Sequence, residues 1–155
     1  MADARRQQFL EMLLARLEAI TQANGFTTDA GEHVYLGFAP AVGPDDAPQA
    51  IAVIVGDDEP GYQGENVSYR LPIEVQAIAA VPAGQQDQPW LTVEAMLRDI
   101  KRAVEKPDRK FGGLLNVGRG LERGPTRTLP REAGSTAVGL SVTYFAPMSE
   151  AWGEP

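Results

Sequence analysis

The chain has 155 residues, no cysteine and a formal charge of −7. That length suits one domain burying roughly 68–70% of its unfolded surface. The composition excludes a disulfide framework, thiolate catalysis and a cysteine metal site, and the overall acidity argues against a general nucleic-acid binder. The charge is unevenly placed. Ten Lys/Arg and only four Asp/Glu lie between Arg98 and Arg131, so the rest of the chain is strongly acidic. Such asymmetry fits a protein that meets an oppositely charged surface, including another copy of itself.

Residues 4–23 predict a helix, with Leu10, Leu13, Leu14, Leu17 and Ile20 at helical spacing and Asp3 as N-cap. The stripe is broken by Glu11, Arg16 and Glu18, which rules out a signal-peptide core. No apolar run approaches the ~18 residues of a membrane span, so no membrane partner is expected. Asn24-Gly25 is a stop signal, with Gly25 free to adopt a left-handed conformation. A short strand then alternates Val34, Leu36 and Phe38. His33, the only histidine, sits beside Glu32 at its start and reads as a surface or turn residue. Residues 39–49 hold three prolines and read as loop. Ala50 to Val55 is fully apolar, as a strand covered on both faces would be.

The segment from Gly56 to Glu65 carries Asp57, Asp58, Glu59 and Glu65 among glycines and a proline. It reads as a loop joining an antiparallel hairpin. Its carboxylates are hard oxygen donors suited to Ca²⁺ or Mg²⁺, but their spacing does not match an EF-hand.

Asn66 to Val81 alternates more regularly than any other stretch. Val67, Tyr69, Leu71, Ile73, Val75, Ala77, Ala79 and Val81 share one face. A strand of this length would span roughly 50 Å at 3.3 Å per residue, far beyond the usual. Pro72 cannot donate to a ladder, so an edge, a bulge or a change of partner is expected there.

The second helix is predicted from about Pro89 to Glu105. Its stripe is Trp90, Val93, Met96, Leu97, Ile100 and Val104, and basic residues crowd its last turns. Leu114 to Glu122 reads as a weak strand. Residues 123–135 are too rich in Gly and Pro to be regular, and Arg119, Arg123, Arg127 and Arg131 decorate this loop as a plausible binding element. Thr136 to Ala146 closes the sheet, Pro147 ends it, and residues 147–155 form a loosely held tail in which Trp152 is the residue expected to dock. The predicted order is α-β-β-β-α-β-β: a single α+β domain, with two main helices on a mostly antiparallel or mixed sheet of about five strands.

Catalytic signatures are missing. There is no GxSxG, P-loop, GxGxxG after a strand, HExxH or CxxC, and the carboxylates sit on a loop rather than on rigid elements. No cofactor, metal or catalytic residue is assigned, and the reading is not that of an enzyme. One competing possibility is a small metal- or ligand-binding domain with a cleft near Asp57, Asp58, Glu59 and His33.

The order of local patterns resembles the tail terminator (tail completion, or minor tail) proteins of long-tailed bacteriophages. Carrying it are a first helix ending in Asn24-Gly25-Phe26, then Asp29 and Gly31, the apolar strand at Ile51–Val55, and Leu71-Pro72-Ile73-Glu74-Val75. Arg98-Asp99-Ile100-Lys101-Arg102-Ala103 closes the second helix, Gly112-Gly113 follows, and Val142-Thr143-Tyr144 lies in the last strand. Each pattern is common, and only their order is specific. The resemblance implies a structural virion protein of the tail, assembled in the bacterial cytoplasm. It implies a homo-oligomeric, hexameric ring that caps the tail tube, stops its growth and offers the surface for head joining. The implied partners are other copies of the chain, the tail tube protein and a head-completion or neck protein, with contact to DNA in the tube lumen as an option. A neck protein of the same particle is the near alternative. The interface residues expected are Asp57, Asp58, Glu59, Tyr62, Val67, Tyr69, Arg119, Arg123, Arg127 and Arg131.

Overall fold

The computed structural model describes residues 4–39, 42, 48–82, 87–130 and 135–155. Asp3 and Arg131 lie outside them. The architecture is α+β: helix α1 (Arg5–Glu18), strands β1 (Val34–Leu36), β2 (Gln49–Val55), β3 (Glu59–Gln63) and β4 (Asn66–Ala80), helix α2 (Gln88–Glu105), then β5 (Glu122–Thr128) and β6 (Ala137–Ala151). The sheet order is β1-β2-β4-β6-β5, with β3 also paired to β4. Only β1 and β2 run parallel, so the sheet is mixed.

One face of the sheet carries the core. Ile73, Val75 and Ala77 of β4 lie opposite Tyr144, Val142 and Leu140 of β6, and this row is buried against Phe9, Leu13 and Leu17 of α1 and Val93, Met96 and Ile100 of α2. The period-two pattern of β4 and the helical stripe of α2 therefore meet as expected, and their burial is the main stabilising term. The strand Ala50–Val55 is covered on both faces at its start. Ile51 and Val53 join the main core, while Ala50 packs with Val42 and Ala80 on the other side.

Helix α1 ends at Glu18, five residues before the predicted end. Thr21 is extended, its hydroxyl accepts from Asn24 N–H, and Asp29 accepts from Gln22 N–H at 2.8 Å. Residues Gln22–Asn24 therefore turn as a separate 3₁₀ segment, closed by Gly25 at φ 86° as anticipated. The turn Ala30–Glu32 then packs against the end of α1, where a Cβ on Gly31 would meet the carbonyl oxygens of Glu18 and Leu17 at 2.6 Å. Gly31→Ala is expected to destabilise the fold by about 1–3 kcal/mol through overpacking, read as a lowered midpoint in urea unfolding.

Pro72 marks a change of partner. On one side, β4 pairs with β6 along its whole length; on the other, Ile73–Ala79 pair with β2, and Asn66–Arg70 pair with β3. Even-numbered residues of β4 face the β2/β3 side, since Ala80 N–H donates to Pro48 O and Gly56 N–H to Pro72 O. Pro72 still accepts from Gly56 N–H at 2.8 Å, so its missing N–H costs only the reciprocal bond of that pair, at the point where β2 ends and before β3 begins.

Three further expectations are corrected. The acidic segment is not all loop: Glu59–Gln63 forms β3, joined to β4 by a two-residue turn with Gly64 at φ 60°. Residues Leu114 to Glu122 do not form a strand. They are turns, held by Arg109, whose guanidinium donates twice to Leu121 O while its own carbonyl accepts from Leu121 N–H. The strand lies one segment later, at Glu122–Thr128, where Gly124 and Pro125 fall in a register shift between Arg123 and Thr126 on an open edge. Finally, β6 runs through Pro147 to Ala151. Pro147 lies opposite Arg70 in a pair whose backbone groups point away from each other. Its absent N–H therefore faces the side on which β5 has already ended.

Candidate assembly surfaces

The ends of β3, β4 and β6 together form a three-stranded arm, residues 59–70 and 147–151. β3 is exposed along its whole length. The apolar row of the sheet continues onto this arm: Leu71, Tyr69 and Val67 of β4 lie opposite Ala146, Met148 and Glu150 of β6, with Pro60 and Tyr62 of β3 alongside. Burial falls along the row, from the buried Tyr69 and Met148 to a half-buried Val67 and an exposed Tyr62. Beside Val67, Trp152 stacks on Tyr62 with ring centroids 5.6 Å apart and planes 10° from parallel. Trp152 is held there by its backbone N–H, which donates to Glu65 O at 3.2 Å.

Tyr69 anchors the arm to the body. Its hydroxyl donates to Glu150 at 3.4 Å and lies 3.7 Å from the Met148 sulfur. Burial, reinforced by the Glu150 carboxylate, pushes its phenol up to about 12. Tyr144, whose hydroxyl donates to Glu105 at 2.9 Å, is raised further for the same reasons: burial first, then the carboxylate. Phenols raised on folding contribute stability that is present below the unfolded value near 10 and lost as pH rises through the folded value. Stability is therefore expected to fall above about pH 10, with late phenolate absorbance appearing together with loss of far-UV ellipticity.

The acidic residues do not converge. Asp58 pairs with Arg6 of α1 at 3.2 Å, on the helix side. Asp57 and Glu59 line a shallow hollow on the opposite sheet face with Arg70, Pro72 and Phe145. There Arg70 pairs with Glu122 at 2.6 Å and lies over the Phe145 ring. His33 sits at the other end of β2, where its carbonyl accepts from Ile51 N–H. Among the described residues no three His, Asp or Glu side chains come together as a metal ion would need.

The arginines also separate. Arg123 lies on the helix side and pairs with Glu105 at 3.3 Å, Arg127 is opposite Ser141 on the face away from the helices, and Arg119 is exposed in the turn before β5. The expected interface set thus divides. Tyr62, Val67 and Tyr69 share one surface, whereas the carboxylates and arginines are spread over both faces. Met148 and Glu150, which complete the arm, went unnoticed in the sequence because Pro147 masked the alternation that runs through them. Asn116 was also missed: its side chain bonds both backbone groups of Ser149, at 2.8 and 3.0 Å, where β5 no longer reaches.

A second surface lies at the far end of α1. A hollow of about 450 Å³ is walled by Ala19, Phe26, Ala103 and Pro107 and rimmed by Arg16, Arg102 and Lys106. Arg102 stacks over Phe26 at 4.8 Å and donates to Gly25 O. Arg16 stacks over Phe111 at 3.6 Å and donates to the carbonyls of Val104 and Asp108, both at 2.8 Å. Burial lowers the Arg16 pKa, a trend that Asp108 opposes. No helix among the described residues is long and apolar enough to cross a membrane.

No protein-family model matches the chain, and no curated protein matches it. Among solved structures it is similar to a chain in the virion of a native gene transfer agent (GTA) particle. The TM-score is 0.51 at 17% sequence identity, over 95% of this chain and 92% of that one. At that identity the likeness is one of fold.

Proposed function

We propose that this chain is a structural virion protein that assembles into a ring on the end of a phage-type tail tube, ending its growth and offering the surface to which the head joins. The observation that carries this reading is the arm, whose apolar row runs past the helices that cover the rest of the sheet. A row left open in this way is a surface for another subunit. The fold likeness to a chain of a gene transfer agent virion supports the same class of protein. It suits a neck protein of such a particle equally well, so the position within the particle rests on the resemblance in sequence order.

The free strand edges favour assembly through side chains. Pro60 lies opposite Tyr69 with its backbone facing the open side of β3, β5 carries Pro125 beside a register shift, and β1 has only three residues. Each device blunts extension of the sheet into a neighbour. The segregated charge supplies the complementary alternative, an acidic arm meeting a basic surface in a head-to-tail contact that closes by rotation. Sedimentation across a concentration and salt series is the test. Hexamers that form with concentration and weaken as salt rises are expected. A monomer at every concentration that also fails to bind tail tubes would contradict the reading.

A further inference from the structure

The arm tip and the cation-rimmed hollow are complementary, and one chain cannot bring them together. The tip presents Tyr62 and Trp152, 64% and 63% exposed, with Glu65, Glu150 and Glu154 around them. The hollow offers apolar walls and three cations, two of them already aimed by ring stacking and backbone hydrogen bonds. The arm leaves the body beside Arg6, as the Arg6–Asp58 pair shows. Arg16 lies ten residues further along α1, roughly 15 Å away at 1.5 Å per residue, and the tip points in the other direction.

We propose that the Tyr62–Trp152 tip of one copy seats in the hollow between Phe26, Ala103 and Pro107 of the next copy, with its carboxylates on Arg16, Arg102 and Lys106. Aromatic side chains bury roughly 150–250 Å² each, and a desolvated aromatic anchor ringed by charge is the usual form of an interface hot spot. Cations held over aromatic faces keep their geometry when water leaves. Another apolar hollow, lined by Leu10, Leu14 and Leu36, has Arg6 and Glu11 at its edge. Its mixed charge is a poorer match for an acidic tip. The contact is heterologous, with different surfaces on the two copies, so it propagates and either closes into a ring or continues as a filament. It rests on the ring reading only for that closure.

The chain has no cysteine, so paired cysteines can trap the contact. Glu154→Cys protein is mixed with Lys106→Cys protein under mild oxidation, and the disulfide-linked heterodimer is quantified. Glu154→Cys mixed with Gln76→Cys, on the opposite face of the sheet, is the control. A several-fold excess of heterodimer over the control is expected. Adding Tyr62→Ala and Trp152→Ala to the Glu154→Cys chain should reduce the trapped fraction on the order of tenfold. Equal yields in the two mixtures, or a yield untouched by loss of both aromatics, would overturn the contact. Electron microscopy of the same samples separates the two readings. Rings without cross-links keep the ring and remove this contact, whereas cross-linked open chains keep the contact and remove the ring.

Discussion

Ile73→Asp is expected to unfold the chain, whereas Val67→Asp is expected to leave it folded and unable to assemble. The two residues lie on the same strand and the same face, six positions apart. Ile73 is fully buried between Val55 of β2 and Tyr144 of β6, beneath the helices. A carboxylate there has no cationic partner and no route to water, so the cost exceeds about 4 kcal/mol, a large part of a typical domain's stability. Val67 is half-buried on the arm, between Tyr62 and Glu150. A charge there stays wet in the monomer and costs about 1 kcal/mol or less, chiefly from the like charge opposite. It becomes costly only when a neighbour covers the arm. Thermal melting paired with sedimentation distinguishes the two: loss of the folded baseline for Ile73→Asp, a near-normal melt without oligomer for Val67→Asp. A Val67→Asp protein that assembles normally would mean that the arm is not an interface.

The second large effect is expected at Asp99. This carboxylate is 1% exposed on α2 and accepts from Thr28 N–H and the Thr28 hydroxyl, both at 2.8 Å, and from Thr27 N–H at 3.2 Å. It holds the segment after Gly25 against the second helix and so sets how α1 and the turn at Ala30–Glu32 lie on the sheet. Asp99→Ala leaves the buried N–H and hydroxyl of Thr28 without their acceptor, while the N–H of the exposed Thr27 can turn to water. Each unsatisfied donor costs roughly 1–3 kcal/mol, so a total on the order of 3–5 kcal/mol is expected. Asp99→Asn keeps one acceptor oxygen and should lose less. Urea unfolding of the two variants checks the ordering; equal stabilities for Asn and Ala would show that the hydrogen bonds are not what holds this turn.

The core was legible where the pattern is local. The alternation from Tyr69 to Ala79 and the stripe from Val93 to Val104 each follow from one period, and each proved to be a buried face. Pro72 was legible as a break but not as to its kind, because a change of partner depends on where β2 ends and β3 begins. The errors share one cause. Glu59-Pro60-Gly61 has no strand propensity of its own, and β3 exists because β4 offers it a ladder. The Gly124-Pro125 pair is tolerated because β5 is an edge. Pro147 is tolerated because its missing N–H falls beyond that edge. The early end of α1 depends on Asp29, seven residues beyond the Gln22 N–H it captures. The candidate surfaces were less legible, since charge and arginine spacing cannot say which face of a sheet a side chain takes. The aromatic tip needed Tyr62 and Trp152, ninety positions apart, to be brought side by side.

The most direct measurement is negative-stain imaging of the purified chain, alone at high concentration and mixed with tail tubes polymerised from a phage-type tail tube protein. Rings of uniform diameter are expected, either free or seated on tube ends, with tubes shorter and more uniform when the chain is present during their growth. A chain that stays monomeric and leaves tube ends bare and tube length unchanged would contradict the proposed tail-capping role.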